Sequence, residues 1–263
     1  TPMQMPSRSS LTQRHRYRQV LPPLRFPVEQ TVTEGRAHFR LRLLLFESLD
    51  LELGSRATVC SDQFVYWNAR DPRRCLAPDV FVCLGTVLDD VDTWKSWEHG
   101  GAPHLAVEIS SPSDTPEGPW ADKLDRYAEL GVRELVRYHR EAPPGRRLRI
   151  WDRVDDNLLE REVGERAEWS EVLELWWVVV PDPTVGRALR LARDPTAHDL
   201  LLTPLEQRDR QLEQRDRQLE QERHACEQSD RELQHERQAR EQERQASAQR
   251  IRELEDELRR RKG

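Results

Sequence analysis

Residues 75–85 read CLAPDVFVCLG, and the fold turns on how this stretch is taken. Val80 to Leu84 form an unbroken apolar run of strand length, with Pro78 before it and Gly85 after it. Asp79 stands at the mouth of the run, where a carboxylate is costly unless something pairs with it. Taken singly, an Asp that follows a Pro also fits a turn or a strand cap.

Residues 104–110 read HLAVEIS. Successive side chains of a strand point to opposite faces, so Leu105, Val107 and Ile109 are expected to face a core, and His104, Ala106, Glu108 and Ser110 to point the other way. Glu108 then stands mid-strand; singly, an ion pair with a buried arginine would account for it. If the two runs are neighbouring strands, about 4.8 Å apart, Asp79 and Glu108 stand side by side. Two carboxylates that close repel unless a cation joins them. Hard oxygen donors, few of them from protein, suit Mg²⁺ (or Mn²⁺), which keeps waters and takes phosphate oxygens of a substrate. A helix predicted over 120–131 adds Lys123 on the flank of its apolar face, three residues after Trp120 and four before Tyr127. Its stem can lie along the core while its ammonium reaches the acidic pair; otherwise Lys123 is a surface lysine.

Other segments follow from pattern. A helix is predicted over 35–53 with Thr33 as its N-cap, a strand over 57–67, a strand from 133, and a hairpin from 147–154 and 158–163. Gly131 reads as the stop of the helix over 120–131. Residues 171–180, EVLELWWVVV, form an apolar run whose type the pattern leaves open. The order helix, three strands, helix, strand is a mixed α/β arrangement.

Charged residues make up 34% of the 263 and hydrophobic ones 36%, with a mean hydropathy of -0.87, too polar for one uniform globule. Three segments are expected: a disordered basic, proline-rich arm over 1–30, a globular domain over 31–204, and a long charged helix over 205–263. In the last, Leu205, Leu212, Leu219, Cys226 and Leu233 recur every seven residues, as in a coiled coil. From Leu212 on, the companion position three residues ahead holds Asp209, Asp216, Arg223 or Asp230, so the seam is thin and homo-oligomerisation through 205–263 is expected to be weak. The arm carries +4 and the helix -1 of a total of -6, which leaves -9 on residues 31–204. An acidic body is not the footprint of a general nucleic-acid binder. No apolar run approaches the roughly 20 residues of a membrane helix, and the N-terminus lacks the apolar core of a signal peptide. The four cysteines have no CxxC spacing and the eight histidines no HxxxH pair, which points to free thiols in a reducing cytoplasm. Of 42 basic residues only Lys95, Lys123 and Lys262 are lysine, so each is a place where a compact ammonium stands instead of a planar guanidinium.

Three motifs, APDVFVCLG, HLAVEISSPSD and DKLDRYAELGVRELV, resemble the Uma-two family of restriction endonucleases, a branch of the PD-(D/E)XK nuclease superfamily. The resemblance spans about 31–204, including SEVLELW and LLTPLE, and leaves out the arm and the tail. It implies a restriction-endonuclease-like mixed sheet core flanked by helices, and a metal-dependent endonuclease acting on DNA. The family's Pro-Asp falls on Pro78–Asp79, its strand acid on Glu108 with Ser111–Pro112–Ser113 after it, and its helix motif on Lys123, Tyr127, Gly131 and Val132. A histidine of its N-terminal helix matches His38 as an accessory residue. By this resemblance Asp79 and Glu108 hold the metal, with the carbonyl of Ile109 as a third ligand, and Lys123 orients a water or neutralises phosphate charge. The sequence departs from the pattern in places. The superfamily lysine two residues after the strand acid is Ser110 here, the acid four before the helix lysine is Pro119, and Glu-Tyr-Trp is Glu134–Leu135–Val136. The rival reading is a catalytically degenerate nuclease fold that serves as a binding or assembly module through its coiled-coil tail.

Overall fold

The computed structural model describes residues 24, 26, 35–88, 90–110, 119–164 and 167–262. The expected arm over 1–30 (Leu24 and Phe26 apart), the expected cap Thr33 and the Ser111–Pro112–Ser113 motif lie outside the described residues. The chain divides into two units, with the division between Leu200 and Leu201.

In the first unit, α1 (Arg36–Leu53) leads through a 3-10 turn into β1 (Ala57–Ser61), followed by the short strands β2 (Val65–Tyr66) and β3 (Cys75–Leu76). Next come β4 (Val80–Leu84), β5 (Trp94–Lys95), β6 (Leu105–Ser110), α2 (Pro119–Leu130) and β7 (Glu134–His139). The hairpin of β8 (Leu148–Val154) and β9 (Asn157–Arg161) precedes β10 (Ala167–Ser170), β11 (Leu175–Asp182) and β12 (Gly186–Ala192). The main sheet has the order β1-β4-β6-β7-β8-β9. Only the β6–β7 pair in it is parallel, because α2 provides the crossover. Two smaller sheets have the orders β10-β11-β12 and β3-β2-β5.

Local chemistry accounts for most of these elements. Leu41, Leu45, Leu49 and Leu53 recur every fourth residue and are buried along one face of α1. The residue at the N-cap of α1 is Gly35, without a side-chain cap bond. Gly131 follows α2 with φ 96°, a left-handed turn that a side chain would strain. The single strand expected over 57–67 is corrected to two strands in different sheets. Asp62 breaks it with φ 58°, a conformation that Asp tolerates better than most residues. The run over 171–180 resolves as β11, whose backbone pairs on one side with β10 and on the other with β12.

The alternation expected for 104–110 has a core on both sides, since every residue of β6 is buried. Ala106 packs with Phe81, Leu135 and Trp151 under Tyr127 and Leu130 of α2. The alternate residues Val80, Val82, Leu105, Val107, Val136 and Ile150 are buried as well. A central strand covered on both faces cannot show a solvent side. One tie between the layers is Glu134, 1% exposed. It accepts hydrogen bonds from Trp177 Nε1 at 2.9 Å and Ser170 Oγ at 3.0 Å, both from the second sheet and its edge, with Arg161 at 3.7 Å.

In the second unit, α3 (Pro204–Lys262) is one helix of 59 residues. Thr203 and Glu206 form a reciprocal capping box at its start: the Thr203 N–H donates to Glu206 Oε2 at 2.8 Å and the Glu206 N–H to Thr203 Oγ1 at 3.3 Å. Pro204 sits at the first helical position, where its missing N–H costs nothing. Leu205, Leu212, Leu219, Leu233, Ile251 and Leu254 are all exposed. No helix among the described residues is long and apolar enough to cross a membrane.

Replacing Glu134 by Ala should leave the Trp177 N–H and the Ser170 hydroxyl buried without an acceptor. The expected loss is about 2–4 kcal/mol in urea unfolding. A loss below about 0.5 kcal/mol, the level of an ordinary surface change, would show that Glu134 does not tie the sheets.

Candidate active site

Strand register brings the expected residues together. β4 and β6 run antiparallel with Val80 opposite Val107, so the same register carried one residue outward sets Asp79 opposite Glu108. β6 and β7 set Glu108 beside Arg137, and β7 and β8 set Arg137 beside Arg149. Asp79, Glu108, Arg137 and Arg149 thus form one row across a single face of the sheet. Over this face lies α2, whose Trp120, Lys123 and Tyr127 share one side because they are spaced by three and four residues.

The polar contacts are specific. Lys123 Nζ donates to Glu108 Oε2 at 2.5 Å. Tyr127 donates its hydroxyl to Glu108 Oε1. The Ile109 N–H donates to Asp79 Oδ2 at 2.6 Å, which fixes the carboxylate against the next strand. His38 Nε2 lies 2.9 Å from the Ile109 carbonyl and 3.3 Å from Asp79 Oδ2. Both neighbours are acceptors, so Nε2 carries the proton and donates. On the opposite side of the row, Arg137 Nε donates to Ser110 Oγ at 2.5 Å, and its guanidinium lies 4.2 Å from the centre of the Trp120 ring.

Glu108 is the most electrostatically loaded of these groups. Its side chain is 8% exposed, that of Lys123 34%. Burial raises the Glu108 carboxyl above its ordinary range; the Lys123 ammonium opposes the rise and the nearby Asp79 adds to it. The Tyr127 hydroxyl is held far above its ordinary range, first by burial and then by the Glu108 charge, so it stays a donor.

Among the described residues no group of three or more His, Cys, Asp and Glu side chains could hold a metal ion. What the site offers is two carboxylates and a backbone carbonyl, all hard oxygens. That donor set fits Mg²⁺, which binds proteins through one or two carboxylates and keeps waters. The bonds from Lys123 and Tyr127 do not exhaust Glu108, since an ionised carboxylate has about four lone-pair sites. Sequence reading named Asp79, Glu108, Lys123 and His38. It took Tyr127 only as part of a helix motif and core stripe and missed Arg137. The spacing of Tyr127 from Lys123 was a usable signal; Arg137 carried none without the β6–β7 register.

The titration of Glu108 can be tested in the metal-free protein. A carboxyl raised above the ordinary 4.5 holds its proton more tightly folded than unfolded, so the stability this contributes is full below that value and is lost as pH rises through the folded pKa. Tyr127→Phe removes a donor to the ionised form and moves the folded pKa further up. At neutral pH the variant should be less stable by about 1.5–3 kcal/mol, with the gap narrowing toward acid. Urea unfolding across pH in EDTA reads this, and a gap that ignores pH would assign the effect to packing.

Comparison with known proteins adds the family. No curated protein matches the chain. Among solved structures, the crystal structure of "a putative nuclease belonging to DUF820" from Anabaena variabilis is similar with a TM-score of 0.38 and 10% identity, over 60% of this chain and 78% of that one. The family described as "Putative restriction endonuclease", Uma2, matches residues 27–181, a span that holds His38, Asp79, Glu108, Lys123 and Tyr127 and more than half of the chain, and the chain belongs to that family.

Proposed function

We propose that this protein is a metal-dependent endonuclease that hydrolyses phosphodiester bonds of DNA. The observation that carries the reading is the convergence of Asp79, Glu108 and Lys123 at one end of β4 and β6, inside a chain of the restriction endonuclease family. Asp79 and Glu108 would hold Mg²⁺ or Mn²⁺, with the Ile109 carbonyl as a third donor. A divalent cation there supplies a Lewis acid for a phosphoryl oxygen and makes water acidic enough to attack near neutral pH.

The chain's own residues have separable tasks. The Ile109 N–H and the protonated Nε2 of His38 orient the Asp79 carboxylate. Tyr127 fixes one oxygen of Glu108 and Lys123 the other, so neither carboxylate needs to reorganise when a cation enters. The Lys123 ammonium, partly exposed, also faces outward, where it can neutralise charge developing on the phosphate or hold a water. In metal-free protein it offsets the Glu108 charge; with a cation held by Asp79 and Glu108, the ammonium would be free for the phosphate or the water.

A test separates metal binding from turnover. Asp79→Asn, which replaces an anionic donor by a neutral amide, should weaken Mn²⁺ binding in calorimetric titration about tenfold or more and abolish DNA cleavage. Lys123→Arg keeps the charge but not the compact geometry. It should leave Mn²⁺ binding within about twofold and slow cleavage by about 10²-fold or more. Full cleavage by Lys123→Arg would remove the specific role of the lysine.

The second reading, a binding or assembly module, is favoured by one observation, the exposed leucines spaced by seven along α3. On that reading, and as a proposal compatible with the first, residues 205–263 pair weakly with a second copy as a coiled coil, outside a nuclease domain over 31–204. Sedimentation should then show a concentration-dependent dimer that disappears when 205–263 is deleted. A chain that stays monomeric at all concentrations ends that proposal. If wild type cuts no DNA with any divalent cation, the module reading replaces the enzyme. The free cysteines Cys60, Cys75, Cys83 and Cys226 support a reducing, cytoplasmic setting.

A further inference from the structure

The row that contains Glu108 continues away from the acidic pair into a groove of about 740 Å³. Five arginines line it: Arg137, Arg146, Arg147, Arg149 and Arg161. Two glutamates, Glu160 and Glu162, also line it, so its formal charge is +3. That is the reverse of the -9 carried by residues 31–204 as a whole. We propose that this groove is the track that binds the sugar-phosphate backbone of the nucleic-acid substrate beside the Asp79–Glu108–Lys123 site. The inference rests on the nuclease reading above and adds to it the surface that seats the substrate.

Register supplies the argument. Glu108 stands beside Arg137 and Ser110 beside His139 in the parallel pair. Arg137 stands beside Arg149 in the next antiparallel pair, and the His139 N–H donates to the Arg147 carbonyl at 2.7 Å. These side chains therefore share the face on which Glu108 lies, two strand spacings or about 9.6 Å across from Glu108 to Arg149. A phosphate held over Glu108 and Lys123 would place the following stretch of the chain above the arginines.

The arginines differ in what already holds them. Arg149 makes a bidentate pair with Glu160 at 2.6 and 2.5 Å, and Arg161 one with Asp152 at 2.7 and 2.6 Å. Their charges are largely spent. Arg146 and Arg147, in the turn before β8, form no ion pair among the described residues; Arg147 Nε donates to the neutral Arg140 carbonyl at 3.3 Å. A guanidinium without a carboxylate is a fork suited to phosphate oxygens. Arg146 and Arg147 are accordingly the pair through which the groove should be felt. An overall acidic body with one basic groove also accounts for selectivity of place, since the polyanion is repelled elsewhere and gathered where the reactive carboxylates lie.

The test uses the full chain in EDTA, a fluorescein-labelled DNA duplex and anisotropy at several salt concentrations. The double variant Arg146→Ala/Arg147→Ala should bind about tenfold or more weakly at low salt, with the slope of log K against log salt smaller by about 2. The charge-matched control Arg70→Ala/Arg133→Ala, two exposed arginines that form no ion pair among the described residues, should bind like wild type. All three proteins should share one melting temperature within a few degrees. Wild-type cleavage with Mn²⁺ together with unchanged binding by the double variant would overturn the groove and leave the nuclease reading standing. An equal loss in the control would show diffuse charge and overturn it too. Displacement of the duplex by inorganic phosphate at matched phosphate concentration would make the groove a subsite for small anions instead. A wild type that neither binds nor cuts removes the nuclease reading and the groove together.

Discussion

The carboxylate of Glu108 is the constraint around which this domain is arranged. It lies in one of the two central strands of the main sheet, under a helix, with its side chain 8% exposed. A charge there is tolerable only if it is paired and hydrogen-bonded. The pairing comes from α2, which must lie across the sheet in the one phase that delivers both Lys123 and Tyr127 to the two oxygens. That phase in turn sets Trp120 against Trp151 with ring centres 5.4 Å apart and places Leu124 and Ala128 over the core. The polar demand of one residue and the apolar packing of the helix have the same solution, which is the consistency expected of a foldable sequence.

The opposite face is organised by a second buried acid. Glu134 opens β7, the strand parallel to β6, and points to the side away from Glu108 because the two lie an even-odd step apart in register. Its partners Trp177 and Ser170 belong to the second sheet. The two acids thus fix the two faces of the central strand pair, one toward α2 and the other toward β10–β12. This division lets the site end of the sheet carry strained electrostatics while the remaining core, Val107, Val136 and Ile150 among it, is apolar.

Electrostatics divide the same face into two regions. Near β4 and β6 the carboxylates Asp79 and Glu108 crowd each other, which adds to the rise in the Glu108 pKa. From β7 onward the row turns to arginine, with Arg137 and Arg149 in register. Arg137 is braced by Ser110 and by the Trp120 ring, so Ser110 serves as an acceptor for a cation from the next strand. A lysine at 110 would meet Arg137 as a like charge. The ammonium on this face comes instead from Lys123 of α2.

Much of this was legible in the sequence because it is local. The apolar run at 80–84, the alternation at 105–110, the four-residue spacing of leucines in α1 and the spacing of Trp120, Lys123 and Tyr127 are each set within a few residues, and periodicity reports them. From these the sequence determined the central elements and singled out Asp79, Glu108 and Lys123; His38 came only from the resemblance to a known family. The two-residue strands β2, β3 and β5 were not legible, since two residues have no period, and neither was the break at Asp62, where a positive φ is stabilised by its surroundings. The type of 171–180 was open because an apolar run suits a buried strand and a buried helix equally until its backbone finds partners. Only the tertiary structure decided that Tyr127 bonds Glu108, that Glu134 ties two sheets, and that arginines 29 and 41 positions beyond Glu108 share its face. Those are consequences of strand register and helix placement, long-range quantities that a one-dimensional pattern does not contain.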